Sequence, residues 1–238
     1  MPRPVLVLQH APWESPGLIE LALEGLPLER RTVLDDPSPE LPSASELSGL
    51  VVMGGPQDAD DDAGHPGLAA ERRLLAGAVD AGLPVLGVCL GMQLLALALG
   101  ASLLKGAARE IGFAPVELTP AAAEDPVLGP LATNGPSVTL MHWHCDLVEL
   151  PEGARLLAST AQTPVQAFRA GSALGVQMHP EMEPELLASW LAEPRMLAAL
   201  EPGEAQRIAL EGEIVLPRLR EPALTGLASL RAEMLDRG

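Results

Sequence analysis

Short apolar runs separated by turn residues dominate the first half of the chain. Four runs have the length and the branched apolar character of buried strands: 5–9, 29–34, 50–53 and 84–88. Three segments among them have the apolar spacing of helices: 17–23, 67–81 and 91–99. Strands that alternate with helices through short loops predict right-handed crossovers. We therefore expect an α/β fold with an open, mostly parallel, flavodoxin-like sheet and helices on both faces.

The pattern changes after residue 112. Strand-like runs then follow one another without long helices between them: 113–118, 138–141, 155–160, 165–168 and 174–178. We interpret these runs as added strands, some of them antiparallel, and predict a helix over 183–191 and a helical tail.

The chain is expected to form one domain over residues 1–192, with residues 193–238 as a helical extension packed on it. In that extension, residues 203–219 have a helical apolar stripe. Its members are Ile208, Val215, Leu216 and Leu219. We expect Pro217 to kink or end this helix.

Charge and composition limit the possible partners. The chain has 32 acidic and 15 basic residues and a net charge of −17, which repels phosphate backbones and predicts no nucleic-acid or membrane partner. No apolar run reaches the ~20 residues of a membrane helix, and the first ten residues lack the regions of a signal peptide. A cytoplasmic location is the resulting expectation. Two cysteines are too few for a disulfide framework in a chain of this length.

One of the cysteines, Cys89, follows directly on a predicted strand and precedes a predicted helix. Gly87 and Gly91 flank it, and small residues at these two positions allow a sharp strand-to-helix turn. The helix N-terminus favours the thiolate, and the N–H of Leu90 is placed to bind an oxyanion. We predict that Cys89 is a nucleophile. The alternative is that it is a small buried apolar residue, as most free cysteines are.

Two further segments could complete such a site. His179 ends a predicted strand, and Glu181 lies on the same face of an extended chain, so a general base and the residue that orients it occur together. Alternatively, His179 caps the strand and Glu181 begins the next helix. Gly54 and Gly55 follow a third strand and would let the Gly55 N–H face a ligand, although such dipeptides often mark ordinary turns.

Together these segments resemble the class I glutamine amidotransferases, over about residues 5–192. The matching motifs are the nucleophile motif at 87–93, the His-Pro-Glu motif at 175–181 and the oxyanion loop at 53–56. The resemblance implies that Cys89 forms a γ-glutamyl thioester, that His179 acts as base and acid, and that Glu181 orients His179. It also implies that Gln93 and the backbone around Gly55 and Leu90 hold the glutamine.

A fourth segment, residues 141–146, resembles the substrate-contacting loop of stand-alone members similar to the glutaminase domain of GMP synthetase. The resemblance implies that Trp143 and His144 contact the substrate. Cys145 occupies a position where that loop commonly has glycine, which leaves the identity of the substrate open. We predict no metal site here, because His142, His144 and Cys145 lack a distant fourth ligand, and no cofactor. His10 and His65 are expected to be ordinary surface or turn residues.

The expected reaction is hydrolysis of the glutamine side-chain amide, with ammonia released for a separate acceptor enzyme. No synthetase domain follows residue 192, so we expect the acceptor on a separate synthetase subunit. Two alternatives stay open. One is a hydrolase of γ-glutamyl adducts with the same chemistry, and the other is a non-catalytic binding module on the same scaffold.

Overall fold

A nine-stranded mixed sheet runs through the protein, and the computed structural model describes residues 2–237. The strands are β1 (Val5–Leu8), β2 (Leu28–Arg31), β3 (Gly49–Val52), β4 (Val85–Val88), β5 (Leu103–Leu104), β6 (Glu110–Leu118), β7 (Ser137–His144), β8 (Leu147–Val148), β9 (Arg155–Ser159), β10 (Ala167–Ala170) and β11 (Ala173–Val176). The large sheet has the order β2-β1-β3-β4-β11-β10-β9-β6-β7, and β5 pairs with β8 separately.

The first five positions of this order form a parallel half-sheet, and the remaining strands are antiparallel. Every residue of β1, β3, β4 and β11 is buried. Their sequences are therefore continuous apolar runs and do not show the alternation of apolar and polar residues that a half-exposed strand shows. The predicted α/β fold, with a mostly parallel sheet and added antiparallel strands, is confirmed.

Helices cover both faces of the sheet. They are α1 (Leu18–Ala22), α2 (Gly67–Asp80), α3 (Leu90–Ala98), α4 (Pro120–Ala123), α5 (Pro184–Ala192), α6 (Pro194–Leu197) and α7 (Glu204–Leu235), with short 3₁₀ turns at Ala44–Glu46 and Gly129–Asn134. Alternate residues of β1 point to opposite faces. Val5 and Val7 join one apolar cluster with residues of α1 and α7, whereas Leu6 and Leu8 join a second cluster with residues of α2 and α3.

Helix α7 is longer than the predicted helix at 203–219. Pro217, which we expect to kink or end the helix, lies inside it, as does Pro222. The apolar stripe continues through Leu227 and Leu230, both buried in the cluster shared with β1, and this packing stabilises the helix beyond the prolines. Of the predicted stripe, Ile208, Leu216 and Leu219 are buried and Val215 is partly buried against the core. The division into a domain over residues 1–192 and a helical extension over residues 193–238 stays a prediction.

Strand β7 is also longer than predicted. Residues 142–144, which we assign from the sequence to a substrate-contacting loop, are the last residues of the strand and pair with β6. The loop assignment is therefore wrong for them. The alternation of a strand places His142 and His144 on one side and Trp143 on the other.

None of the helices in the described part of the chain combines the length and the apolar composition that crossing a membrane requires.

Candidate active site

The predicted site residues come together at the carboxyl edge of the parallel half-sheet. They follow β3 (Gly54 and Gly55), β4 (Cys89 and Leu90) and β11 (His179 and Glu181). In open α/β sheets, ligands bind outside the carboxyl ends of the strands, near the point where the strand order reverses. In this sheet the strand order reverses between β1 and β3, because β2 and β3 pair with β1 on opposite sides.

Cys89 occupies a strained turn between β4 and α3. Its φ is 52° and its ψ is −108°, and within residues 2–237 no other non-glycine residue has a positive φ. Such a conformation costs on the order of 1–3 kcal/mol and persists where the surrounding structure enforces it. A Cβ on Gly87 would lie 2.6 Å from the carbonyl oxygen of Gly91, and a Cβ on Gly91 would overlap the carbonyl of Val52. Both flanking glycines are therefore required for this turn.

The surroundings of Cys89 hold its backbone and leave its side chain near the surface of a pocket. Its N–H donates to the carbonyl of Val176 at 2.8 Å, and its side chain is mostly buried, with Sγ 3.8 Å from the carbonyl oxygen of Trp143. Helix α3 begins at Leu90, so the N–H of Leu90 is one of the first-turn donors that a helix does not use itself.

His179 and Glu181 form a buried pair. Nδ1 of His179 lies 2.7 Å from Oε1 of Glu181, and both side chains are almost fully buried. The N–H of His179 donates to the carbonyl of Met141 at 2.9 Å, and the carbonyl of Glu181 accepts from Leu18 at 3.0 Å. The ring of Trp190 packs edge to face on the imidazole, with centroids 4.8 Å apart. His179 and Glu181 are thus held by three separate elements.

The electrostatic surroundings of His179 favour its protonated form. Burial by itself would lower the pKa of His179, but the carboxylate of Glu181 and the side chain of Cys89 outweigh it, and the pKa is raised well above its usual value. Nε2 has no hydrogen-bond partner among the described residues. This nitrogen is therefore free to exchange a proton with a sulfur or a substrate.

The two predicted oxyanion donors are neighbours. A Cβ on Gly55 would lie 2.9 Å from Cδ2 of Leu90, so the loop after β3 packs directly on the start of α3. The carbonyl oxygen of Gly54 lies 3.0 Å from Nδ1 of His10, whose Nε2 lies 2.9 Å from Oε2 of Glu71. His10 is buried, so the prediction that it is an ordinary surface or turn residue is wrong. The sequence carries no spacing signal for this pair, since Glu71 comes from a helix 61 residues away.

The three predicted substrate residues line one pocket with Cys89, but their polar groups are largely engaged within the protein. Nε2 of Gln93 donates to Oε1 of Gln177 at 3.1 Å. His144 has Nδ1 3.3 Å from the carbonyl of Asp146 and Nε2 3.1 Å from Glu110. The ring of Trp143 packs against Trp190, with centroids 5.6 Å apart.

The pocket has a volume of about 250 Å³. It is lined by Glu14, Gly55, Pro56, Gln57, Asp58, Cys89, Gln93, Trp143, His144, Cys145, Asp146, Arg195, Met196 and Ala199. This volume is below the ~300–1,000 Å³ of drug-sized ligands, as expected for a ligand the size of an amino acid. The last three residues belong to α6 and the turn after it, so the C-terminal segment contributes to the pocket. Glu14 had no role in the sequence prediction.

A buried polar cluster lies behind the pocket. Glu110, His142 and His144 each place a possible metal-ligand atom within 4.8 Å of the others. However, the Glu110 carboxylate already accepts hydrogen bonds at 2.5–2.6 Å from Thr160, Thr163 and Gln166. Burial would raise the pKa of Glu110, but hydrogen bonds from His144 and the two threonines lower this pKa to about 2. For His142, burial lowers the pKa to about 4. We interpret the cluster as holding the His144 side chain in place. The absence of a metal stays a prediction.

A cysteine at a strand-to-helix turn and a buried imidazole–carboxylate pair, both at the carboxyl edge of a parallel sheet, are the arrangement found in α/β enzymes that use a cysteine nucleophile. The profile of the family described as glutamine amidotransferase class-I matches residues 28–193, which is more than half of the chain. The chain belongs to the class I glutamine amidotransferase family, a family of enzymes, and the predicted resemblance is confirmed.

Individual relatives agree with this assignment. The chain is 36% identical over 148 residues to YfeJ, a glutamine amidotransferase-like protein of Salmonella typhimurium, covering 60% of this chain and 61% of YfeJ. It is 33% identical over 185 residues to one subunit of the glutamine-hydrolysing GMP synthase of Natronomonas pharaonis, covering 76% of this chain and 89% of that relative. The chain spans only 25% of the length of full-length GMP synthases such as that of Marinobacter nauticus.

Solved structures give the same assignment. A glutamine amidotransferase from Thermotoga maritima superposes with a TM-score of 0.82 at 25% identity, over 97% of this chain and 99% of that one.

Proposed function

We propose that this enzyme hydrolyses the side-chain amide of glutamine or of a close γ-glutamyl relative, with Cys89, His179 and Glu181 as its catalytic triad. The main support is the 2.7 Å contact between His179 and Glu181, buried next to a strained cysteine at a helix N-terminus. A core cysteine needs neither the strain nor a protonated imidazole beside it.

In the proposed reaction, Sγ of Cys89 attacks the amide carbon after its proton has passed to Nε2 of His179. The carbonyl oxygen becomes an oxyanion, which the N–H groups of Gly55 and Leu90 stabilise. His179 then gives its proton to the leaving nitrogen, ammonia departs, and a γ-glutamyl thioester remains. Water hydrolyses the thioester with His179 as the base, releasing glutamate and the free thiol. Glu181 fixes the imidazole orientation and stabilises its charged form throughout.

Gln93, Trp143 and His144 are the proposed substrate-binding residues. Their position in the pocket with Cys89 supports this role. Nε2 of Gln93 donates a hydrogen bond within the protein, Nδ1 of His144 faces a backbone carbonyl, and Nε2 of His144 faces the Glu110 carboxylate. We therefore propose that these side chains shape the pocket and present the backbone of residues 143–146 to the substrate.

We further propose that the ammonia serves a separate acceptor enzyme. The relatives named as GMP synthases are described as glutamine-hydrolysing, and one of them is a single subunit of such an enzyme. This supports a partner that carries the synthetase activity. Free ammonia production without an acceptor would consume glutamine to no purpose.

Hydrolysis of γ-glutamyl adducts is the second candidate. The pocket lining supports it, because Cys145 together with Arg195, Met196 and Ala199 from the C-terminal segment surrounds the space into which an adduct would extend. Arg195 would add a positive charge there, suited to a carboxylate of a γ-glutamyl peptide.

Steady-state kinetics of the purified chain distinguish these proposals. Glutamine, a γ-glutamyl dipeptide and a γ-glutamyl anilide are compared as substrates for the wild type, Cys89→Ala and Cys145→Ala. Turnover that is lost in Cys89→Ala and kept in Cys145→Ala supports the mechanism, and full activity of Cys89→Ala refutes it. Slow glutamine turnover that rises when a synthetase is added supports the partnership. Turnover of the γ-glutamyl compounds with none of glutamine favours the second candidate.

A further inference from the structure

Glu14 is a buried carboxyl in the catalytic pocket. It lies in the segment between β1 and α1, its side chain is mostly buried, and it lines the same pocket as Cys89. Within residues 2–237, its Oε2 is a buried oxygen without a hydrogen-bond partner. Buried acceptors in native proteins nearly always have a partner, so an unpaired carboxyl oxygen that lines a pocket is a candidate acceptor for a bound molecule.

The carboxyl and Cys89 both pack against Gly54. A Cβ on Gly54 would be 2.6 Å from Oε2 of Glu14 and 3.6 Å from Cβ of Cys89, so only a glycine lets the carboxyl approach the nucleophile from this side. Burial raises the pKa of Glu14 to about 7, with His179 and His10 opposing the rise and Glu181 adding to it. Glu14 is therefore near enough to His179 and Glu181 to interact with both electrostatically.

The part of a γ-glutamyl substrate within reach of Oε2 is the amide that reacts. Its carbon must bond to Sγ of Cys89, whereas the α-amino group is several bonds further along the substrate. An amide nitrogen carries N–H donors that lose their water partners on entering the pocket and need acceptors there. We infer that Glu14 accepts a hydrogen bond from the leaving nitrogen of the substrate, an inference that rests on the proposed function.

This contact would orient the leaving group. With one N–H held by Glu14, the nitrogen keeps its developing lone pair free for the proton of His179. Glu14 neither gains nor loses a proton in the cycle. The contact exists only for substrates whose leaving atom bears hydrogen, so it would favour amides over esters.

Glutamine and glutamate γ-methyl ester test this inference, because both would acylate Cys89 to the same thioester, but the ester has no N–H at the leaving atom. The kcat/KM value reports acylation and is measured for the wild type, Glu14→Gln and Glu14→Ala. Glu14→Gln keeps the shape of the side chain and guards against a folding defect in the alanine variant. Glu24→Gln, an exposed position on the neighbouring turn, is the matched control.

Above its pKa of about 7 the Glu14 carboxyl is ionised, and there we expect Glu14→Ala to lose roughly 10- to 100-fold in kcat/KM for glutamine, as for loss of a hydrogen bond to a charged group. Glu14→Gln should lose less, because its amide oxygen can still accept the N–H. The ester should change by less than about two-fold, since it never made that bond. An equal loss on both substrates, or no loss on either, would overturn the inference. Wild-type protein that turns over neither substrate would instead refute the proposed function, and the inference with it.

Discussion

His10 holds the carbonyl of Gly54 through Nδ1 at a distance of 3.0 Å, while its Nε2 lies 2.9 Å from Glu71. A carbonyl and a carboxylate only accept hydrogen bonds, so both ring nitrogens donate and the ring is an imidazolium. Burial would lower the pKa of His10, but the carboxylate of Glu71 raises it above its usual value. In a trans peptide the Gly55 N–H points opposite to the Gly54 carbonyl. His10 therefore fixes the direction of the proposed oxyanion donor.

We predict that His10→Ala lowers kcat for glutamine by about 10²–10³, the effect of losing one oxyanion donor. KM should change little. Glu71→Gln should be milder, because an amide N–H can donate to Nε2 of a neutral imidazole whose Nδ1–H still reaches Gly54. Steady-state kinetics check this, with His65→Ala, at a partly exposed loop histidine, as the control. A His10→Ala protein that is folded and fully active would contradict the role.

The two cysteines should differ in their response to reagents. Cys89 is buried in the pocket and Cys145 is exposed. A glutamine-like alkylating agent should modify Cys89 alone, because only this thiol lies with the proposed general base and the proposed oxyanion donors. A general thiol reagent should modify Cys145 in Cys89→Ser. Mass spectrometry of the wild type and this variant identifies each site, and an adduct of the glutamine analogue on Cys145 would disprove the assignment.

The sequence predicts the parallel half-sheet well, because buried strands and the glycines around Cys89 leave strong local patterns. The convergence of Cys89, His179 and Glu181 at one edge of the sheet was also predictable, since each of them follows a strand that the apolar pattern locates. The contacts of His10 and Glu14 were not predictable. They depend on which loops meet at one edge of the sheet, and Glu71 approaches His10 from a distant helix. The full length of α7 was missed because two prolines lie inside it, and only tertiary packing explains why it continues.

Glu181 should set the alkaline limit of activity. Its carboxylate raises the pKa of His179, while burial lowers it. In Glu181→Gln the carboxylate no longer raises the pKa of His179, while burial still lowers it, so this pKa falls. The alkaline limb of the profile of kcat/KM against pH therefore moves to lower pH. The rate should also fall by up to about 10⁴, as in other triads whose carboxylate is neutralised. Glu185→Gln, exposed on α5, is the control. An alkaline limb that stays in place would show that Glu181 does not tune His179.

Two helical glycines provide a matched test of how α7 packs. Gly226 of α7 is pressed against the backbone of the loop before the second 3₁₀ turn, and a Cβ there would overlap the carbonyl of Val127. Gly77 of α2 is also inside a helix, but a Cβ at that position would have no neighbour within 4 Å. Replacement by alanine therefore removes the same backbone freedom at both sites and adds a clash at only one.

We expect Gly77→Ala to stabilise the protein by about 0.5–1 kcal/mol, because alanine loses less backbone entropy in a helix. Gly226→Ala should destabilise it by about 1–3 kcal/mol, the usual effect of overpacking a filled core. At about 2–4 °C per kcal/mol for a chain of this size, thermal unfolding measures both shifts. If the two variants gain stability equally, α7 does not pack closely on the loop at Val127 in solution.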